Sequence, residues 1–359
     1  MTGHGVRCLL MRGGTSKGLY FLAADLPADP QQRDALLLAV MGSGHPMQVD
    51  GVGGAHPLAS KIAVVSLSAR EDADIDYLFL QLGVDEPTIT DRQNCGNILA
   101  GVGPFAVERG LIGAGEESTT ARIHMVNSGS VVTATFATPA GVPRYAGDTA
   151  IAGVPGTAAP ILLRFAGTAG SATGSLLPTG RVSDVIDGVE VSCVDNGMPV
   201  AVARASDFGL TGAESHQELA GSQELARRVQ ALRLAAGELM GLGDVSGLSV
   251  PKTTLVSAPR DGGTICTRTF IPVRPHTSIG VLGAVTVATA MLLPGAAGAE
   301  LARLPESGHV IDIEHATGHL EVEVELDAAG DPPRVLRAGV VRTARKLFDG
   351  TVYPPAIAR

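Results

Sequence analysis

Three short segments combine residue types that could do chemistry. The first is Met11-Arg12-Gly13-Gly14-Thr15-Ser16-Lys17-Gly18. Its glycines let backbone amides approach an anion, and the hydroxyls of Thr15 and Ser16 and the cations of Arg12 and Lys17 add charge-assisted bonds. The spacing G-x-x-x-x-G-K-[ST] is not met and no strand clearly precedes the segment, so it is not read as a P-loop. An anion seat and a tight turn with exposed charges both fit. The second segment is Asp50-Gly51-Val52-Gly53-Gly54, leading through Ser60 to Lys61 and directly into an apolar run. A lysine at the mouth of a buried strand is partly desolvated, and desolvation favours the neutral amine that serves as a base. A solvated lysine capping a strand is the plain alternative. The third is Asn94-Cys95-Gly96-Asn97, ahead of an apolar helical stretch. Free amides and the positive dipole end at a helix start favour a thiolate and offer a seat for a carboxylate. A buried inert cysteine is the alternative there, against which the small polar flanking residues argue.

Other candidates carry less. Lys252, in Val250-Pro251-Lys252, is a reserve base, and Arg268 and His276 are reserve carboxylate binders. Glu314, His315 and His319 stand close together, but a turn-like Ala-Thr-Gly separates them and no further Cys or His supports a metal, so none is expected. No G-x-G-x-x-G follows a strand, opens a helix and precedes an acid, and no serine has a G-x-S-x-G setting. Neither a dinucleotide cofactor nor a serine hydrolase is supported.

Composition narrows the partners. Lys plus Arg is 27 against 36 Asp plus Glu, a net charge of −9, which disfavours nucleic acid because that partner needs a basic surface. It leaves an anionic substrate open, since a local cation cluster outweighs a distant net charge. Aromatic residues are only 3% and Trp is absent, so stacking platforms for bases are not expected. The four cysteines, Cys8, Cys95, Cys193 and Cys266, form no C-x-x-C pair, which fits a reducing, cytoplasmic setting. No signal peptide is read at the N-terminus. The longest apolar run, Val281 to Leu293, is too short to span a bilayer, so no membrane partner is expected.

The elements that must position these residues are mostly strands. Short apolar or alternating runs predict them at Ile62–Leu67, Asp76–Val84, Ser130–Thr138, Val189–Val194, Val200–Arg204, Thr253–Ser257, Thr264–Ile271 and Leu320–Leu326. Asp29–Met41 and Gln223–Met240 read as amphipathic surface helices. Ile98–Arg109 and Val281–Leu293 are apolar nearly all round, which predicts helices enclosed by other structure. Each of the two follows a turn of small hydrogen-bonding residues, Asn94 to Asn97 in one case and Thr277-Ser278-Ile279-Gly280 in the other. The pattern predicts a duplicated α+β architecture: two domains, each a sheet around one central helix. The expected boundary falls near 183, giving an N-terminal domain over 1–183, completed by 337–359, and a C-terminal domain over 184–336.

Taken in order, M-R-G-G-T-S-K-G at 11–18, Asp50 to Gly54 with Ser60-Lys61, Q-N-C-G-N at 93–97 and H-T-S-I-G-V at 276–281 resemble the PrpF family of isomerases. The resemblance covers about Leu9 to about Leu293. It implies the diaminopimelate epimerase-like fold, with two pseudo-symmetric domains, each a β-barrel-like sheet around a central helix, meeting at a cleft into which the helix starts at Asn97 and Gly280 point. It implies a cofactor-independent proton transfer on a small polycarboxylate, with Lys61 and Cys95 as the acid–base groups. Arg12, Thr15, Ser16, Lys17, Ser60, Asn94, Gly96, Asn97, Arg268, His276, Ser278, Ile279 and Gly280 would hold the substrate. The family often forms homodimers. Diaminopimelate epimerases carry a cysteine on each domain, whereas the second-domain counterpart here falls near Ser278, which argues against a two-thiol racemase. Asp74 to Phe79, Asn94 to Gly110 and Asp195 to Pro199 look more like 4-oxalomesaconate tautomerases, which act in breakdown of aromatic acids such as gallate and protocatechuate. Methylaconitate isomerase is the alternative within the family, and a non-catalytic carboxylate-binding protein the alternative outside enzymes.

Overall fold

The computed structural model describes residues 5–91, 95–306 and 308–355. Contacts divide the chain into two units, residues 1–164 with 342–359, and residues 165–341.

The first unit contains β1 (Val6–Gly13), β2 (Ser16–Leu22), α1 (Pro30–Met41), β3 (Lys61–Leu67), β4 (Ile75–Leu82), β5 (Ile89–Thr90), α2 (Gly96–Leu99), α3 (Val102–Glu108), β6 (Ser118–Met125), β7 (Ser130–Ala137) and β8 (Pro160–Phe165). The second contains β9 (Asp184–Ile186), β10 (Val189–Asp195), β11 (Pro199–Arg204), α4 (His216–Gly221), α5 (Gln223–Leu239), β12 (Lys252–Ser257), β13 (Ile265–Phe270), α6 (Val281–Leu292), β14 (Val310–His315) and β15 (Gly318–Asp327). The last strand, β16 (Arg334–Val352), gives its first half to the second unit and, from Arg342 on, its second half to the first.

In the first unit the strands run β1-β2-β3-β4-β6-β7-β8-β16, and β16 pairs back onto β1, so the sheet closes on itself. Closure leaves an inside and an outside, and the pleat sends alternate residues to each. Leu19, Phe21, Ile62, Val64 and Leu80 go outward and are covered by Leu37, Val40 and Met41 of α1. Asp29 caps α1 by accepting from the Gln32 amide at 2.9 Å. Inside the ring, α2 packs on β1, β2 and β3, and α3 on β3, β6 and β7. The strands are therefore buried on both faces, which is why β1 and β2 read as apolar without clean alternation. The expectation that no strand precedes Met11–Gly18 is corrected here: that motif is the turn of the β1–β2 hairpin, with Gly13 opposite Ser16. The single helix expected over Ile98–Arg109 is two, because Pro104 has no N–H to offer the Ala100 carbonyl.

In the second unit the order is β16-β15-β14-β13-β12-β11-β10-β9. The apolar helix α6 packs on β10, β11, β14 and β15 and is buried from Gly283 to Met291. The amphipathic α5 lies on β9, β11 and β12 and closes a core with Leu225, Val229, Leu232 and Ala236. The first unit is thus a closed sheet around the two short helices α2 and α3, and the second a sheet packed on the one apolar helix α6. The division falls earlier than 183 because residues 170–176 are tied to β10. The Gly170 amide donates to the Asp195 carbonyl at 2.7 Å, and Asp195 Oδ2 accepts from the amides of Ala172 and Thr173 at 2.8 and 2.9 Å. Among the described residues no helix is long and apolar enough to cross a membrane.

Candidate active site

Lys61 is the first residue of β3. It stands opposite Gly18 on β2 and opposite Gln81 on β4. Its side chain is buried at 7% exposure, and its ammonium donates to Gln81 Oε1 at 2.5 Å and lies 5.2 Å from the centre of the Phe79 ring. The Gly-rich approach to it folds around Gln48. A Cβ on Gly53 would meet the Gln48 amide at 2.3 Å, and the buried Ser60 hydroxyl shares its one proton between Gln48 Oε1 at 2.9 Å and the His56 carbonyl at 3.1 Å. Ser60 therefore braces the loop with its hydroxyl already engaged.

Cys95 is the half-buried N-cap of α2. The turn that carries it is pinned from three sides. Tyr77 donates to the Cys95 carbonyl at 3.4 Å and Tyr20 to the Ile98 carbonyl at 2.5 Å. Burial pushes both phenols well above their ordinary range, so they stay protonated donors. The third side is the β1–β2 turn. Asn97 Nδ2 donates to Thr15 Oγ1 at 2.9 Å, and a Cβ on Gly13 would sit 2.4 Å from the Asn97 carbonyl oxygen. Gly14, at φ +50°, is equally close to the Asn97 side chain, so glycine is needed at both places. Asn94 lies outside the described residues. Arg342, on β16, is buried, and burial pushes its guanidinium down to about 10 although the Cys95 charge pulls it up.

The hairpin turn joins the two candidate groups, since Gly18 lies opposite Lys61 and Gly13, Gly14 and Thr15 lie against Asn97. On this turn sits a pocket of about 560 Å³, lined by Arg12, Thr15, Ser16, Lys17, His56 and Arg345 among others, with no carboxylate among the described residues that line it. Arg12 Nη1 donates to the Gly14 carbonyl and to both oxygens of Thr343. Burial, with the neighbouring Arg345 charge, lowers the Arg12 guanidinium from its ordinary value. Two like charges held side by side without an intervening acid make a preformed seat for an anion. Ser16, 2% exposed, has a hydroxyl with no protein partner, which is costly unless something else accepts or donates there.

The second unit holds its own cluster. Ser278 Oγ lies 3.0 Å from His315 Nε2, and the Ser278 amide donates to His276 Nδ1 at 2.9 Å. The Thr317 amide donates to His315 Nδ1 at 3.3 Å, which places the proton of the neutral ring on Nε2, facing Ser278. Ser278 accepts that bond and keeps its own proton to give, so it is built as a donor. Ile279 is buried, and Gly280 caps α6 without a side-chain bond, so the first amides of the helix are open. Arg268 is engaged within the protein, its Nε donating to the Glu214 carbonyl at 2.8 Å and its Nη1 to the Thr267 carbonyl at 2.9 Å. Burial lowers Lys252, helped by Arg233, and also lowers His276.

Desolvation pushes His315 down to about 4, against an ordinary 6.5. Between those values the unfolded chain binds more protons than the folded one, so stability rises with pH across that window and its gain is complete above about 6.5. The expected contribution is about 3 kcal/mol between pH 4 and pH 7. Urea unfolding of the wild type and of His315→Gln at both pH values checks it: the variant should lose that part of the slope, and parallel slopes would show the ring is not held neutral.

Sequence reasoning singled out the lysine, the thiol and the cationic turn, weighed His315 only as a metal ligand, and did not single out Gln81, Arg342, Arg345 or the two tyrosines. Gln81 did leave a signal: it shares the inward face of β4 with Tyr77 and Phe79 at spacing two, and a polar side chain on such a face needs a partner.

The Lys61 amine is held on the Gln81 amide and Cys95 caps α2, while the cation-lined pocket on the hairpin turn is lined by neither of them. Residues 4–355 match the family model described as PrpF protein. The chain is 57% identical over 347 residues to the (4E)-oxalomesaconate Delta-isomerase of Novosphingobium sp. (strain KA1), covering 96% of each. It is 52% identical to the 4-oxalomesaconate tautomerase of Pseudomonas putida, covering 97% of this chain and 95% of that one. The crystal structure of a methylitaconate-delta-isomerase superposes with a TM-score of 0.89 at 31% identity, covering 99% of this chain and 96% of that one. The chain belongs to the PrpF family of isomerases.

Proposed function

We propose that this protein isomerises an unsaturated keto-polycarboxylate, 4-oxalomesaconate, by moving a proton between two of its carbons. The observation that carries the reading is the hairpin turn that links Lys61 and Cys95 beside a pocket of cations without acids. The substrate is supported by the names of the two relatives above half identity.

The chemistry follows from the guest. A C–H bond at the γ carbon is acidic because its electron pair spreads as a dienolate into the keto group. Lys61, in its neutral form, takes that proton and becomes an ammonium, which Gln81 Oε1 receives. Arg12, Lys17 and Arg345 hold the carboxylates, with the Ser16 and Thr15 hydroxyls, and offset the spreading charge. The Cys95 thiol, at the start of α2, then gives its proton to a different carbon, and the open helix amides offset the charge left on sulfur. A proton passing from the ammonium to the thiolate resets the site. One hydrogen and one double bond have moved, and no electron has been gained or lost.

The test is incubation with 4-oxalomesaconate and, separately, methylaconitate, followed by ultraviolet absorbance and by proton NMR in D₂O. The expected result is conversion of the first with loss of its exchangeable C–H signal. Higher kcat/KM on methylaconitate would overturn the substrate, and tight binding without exchange would leave a binding protein rather than an enzyme.

A further inference from the structure

We infer that Gln81 is a positioning residue for Lys61, an inference that rests on the reading of Lys61 as the proton acceptor. A lysine amine sits on a long flexible stem and must be fixed before it can meet one C–H bond. The fixing group here is an amide whose own orientation is forced. Gln81 Nε2 lies 3.1, 3.0 and 3.1 Å from the carbonyl oxygens of Pro57, Ser60 and Leu82, which share its two protons. Turning the amide over would set its oxygen against three carbonyl oxygens and its NH₂ against an ammonium. The only orientation that satisfies all of them aims Oε1 at Lys61 Nζ, where the bond is 2.5 Å.

The register explains why this residue can do it. Lys61 and Gln81 are directly opposed on antiparallel β3 and β4, so their side chains leave the same face of the sheet. Phe79, two residues earlier on that face, closes the other side with its ring 5.2 Å from the amine. Two of the three clamping carbonyls, those of Pro57 and Ser60, belong to the loop that delivers Lys61. The clamp therefore couples the loop's position to the amine's. A group that only braced the fold would not need its one free acceptor on the catalytic amine.

Steady-state kinetics on full-length Gln81→Met, beside Lys61→Met, test this. Methionine keeps the volume but neither accepts from the amine nor grips the carbonyls. The expected result is a fall in kcat of about 10–100-fold with KM within about threefold, since carboxylate binding belongs to other residues. If Gln81→Met does not fold, Gln81→Asn takes its place, drawing the same amide back by one carbon, with the same split expected. A kcat within twofold of wild type in the folded variant, or a raised KM with unchanged kcat, overturns the proposal while an inactive Lys61→Met leaves the base assignment standing. An active Lys61→Met overturns both.

Discussion

Lys61→Met is expected to lower kcat by at least about 10²–10⁴-fold, the usual worth of one acid–base group, and to stop deuterium entering recovered substrate. Methionine is chosen because it nearly matches the lysine stem in length and volume and can still lie along the Phe79 ring. What it lacks is the amine. The fold should tolerate the change: Gln81 Oε1 loses its donor, at a cost of about 1–3 kcal/mol, while the amide's contacts with the three backbone carbonyls remain. A single assay thus separates chemistry from stability. Rates come from ultraviolet absorbance, exchange from NMR in D₂O, and integrity from thermal unfolding. Turnover close to wild type with an intact fold would remove Lys61 from the proton path, and with it the reason for the amide clamp behind it.

How much of this was legible in the sequence depends on what places each residue. Lys61 and Cys95 stood out because small polar residues interrupt apolar runs just before them, and such interruptions mark element boundaries. The two apolar helices were legible for the same kind of reason, since a stretch without a polar face has to be enclosed. β1 and β2 were not, because a closed sheet covered by α1 outside and filled by α2 and α3 inside removes the alternation that would announce them. Arg342 and His315 lie far along the chain from the residues they approach. Arg342 reaches Cys95's neighbourhood only because β16 pairs back onto β1, and His315 reaches Ser278 across 37 positions. Such meetings are set by strand register, which no local pattern reports. Residues 170–176 are a further case: Asp195 gathers them from 20-odd positions upstream through its carboxylate and backbone, a tie no local pattern announces.

Cys95→Ala tests a different half of the reaction, and its outcome should differ in kind from that of the lysine variant. If the thiol returns the proton, removing it leaves abstraction by Lys61 in place. Conversion should then fall by about 10²–10⁴-fold, while deuterium still washes into recovered substrate, because the dienolate can only take its proton back where it lost it. The surroundings of the thiol make this separation feasible. The phenols of Tyr77 and Tyr20 grip the carbonyls of Cys95 and Ile98, and Thr15 and Gly13 hold Asn97, so the turn is fixed through its backbone and the Asn97 side chain rather than through sulfur. The loss should therefore read out as chemistry and not as a displaced helix. Loss of conversion and exchange together in a folded Cys95→Ala would mean that the thiol orients the substrate for Lys61. Undiminished conversion would mean that the ammonium of Lys61 carries the proton to both carbons.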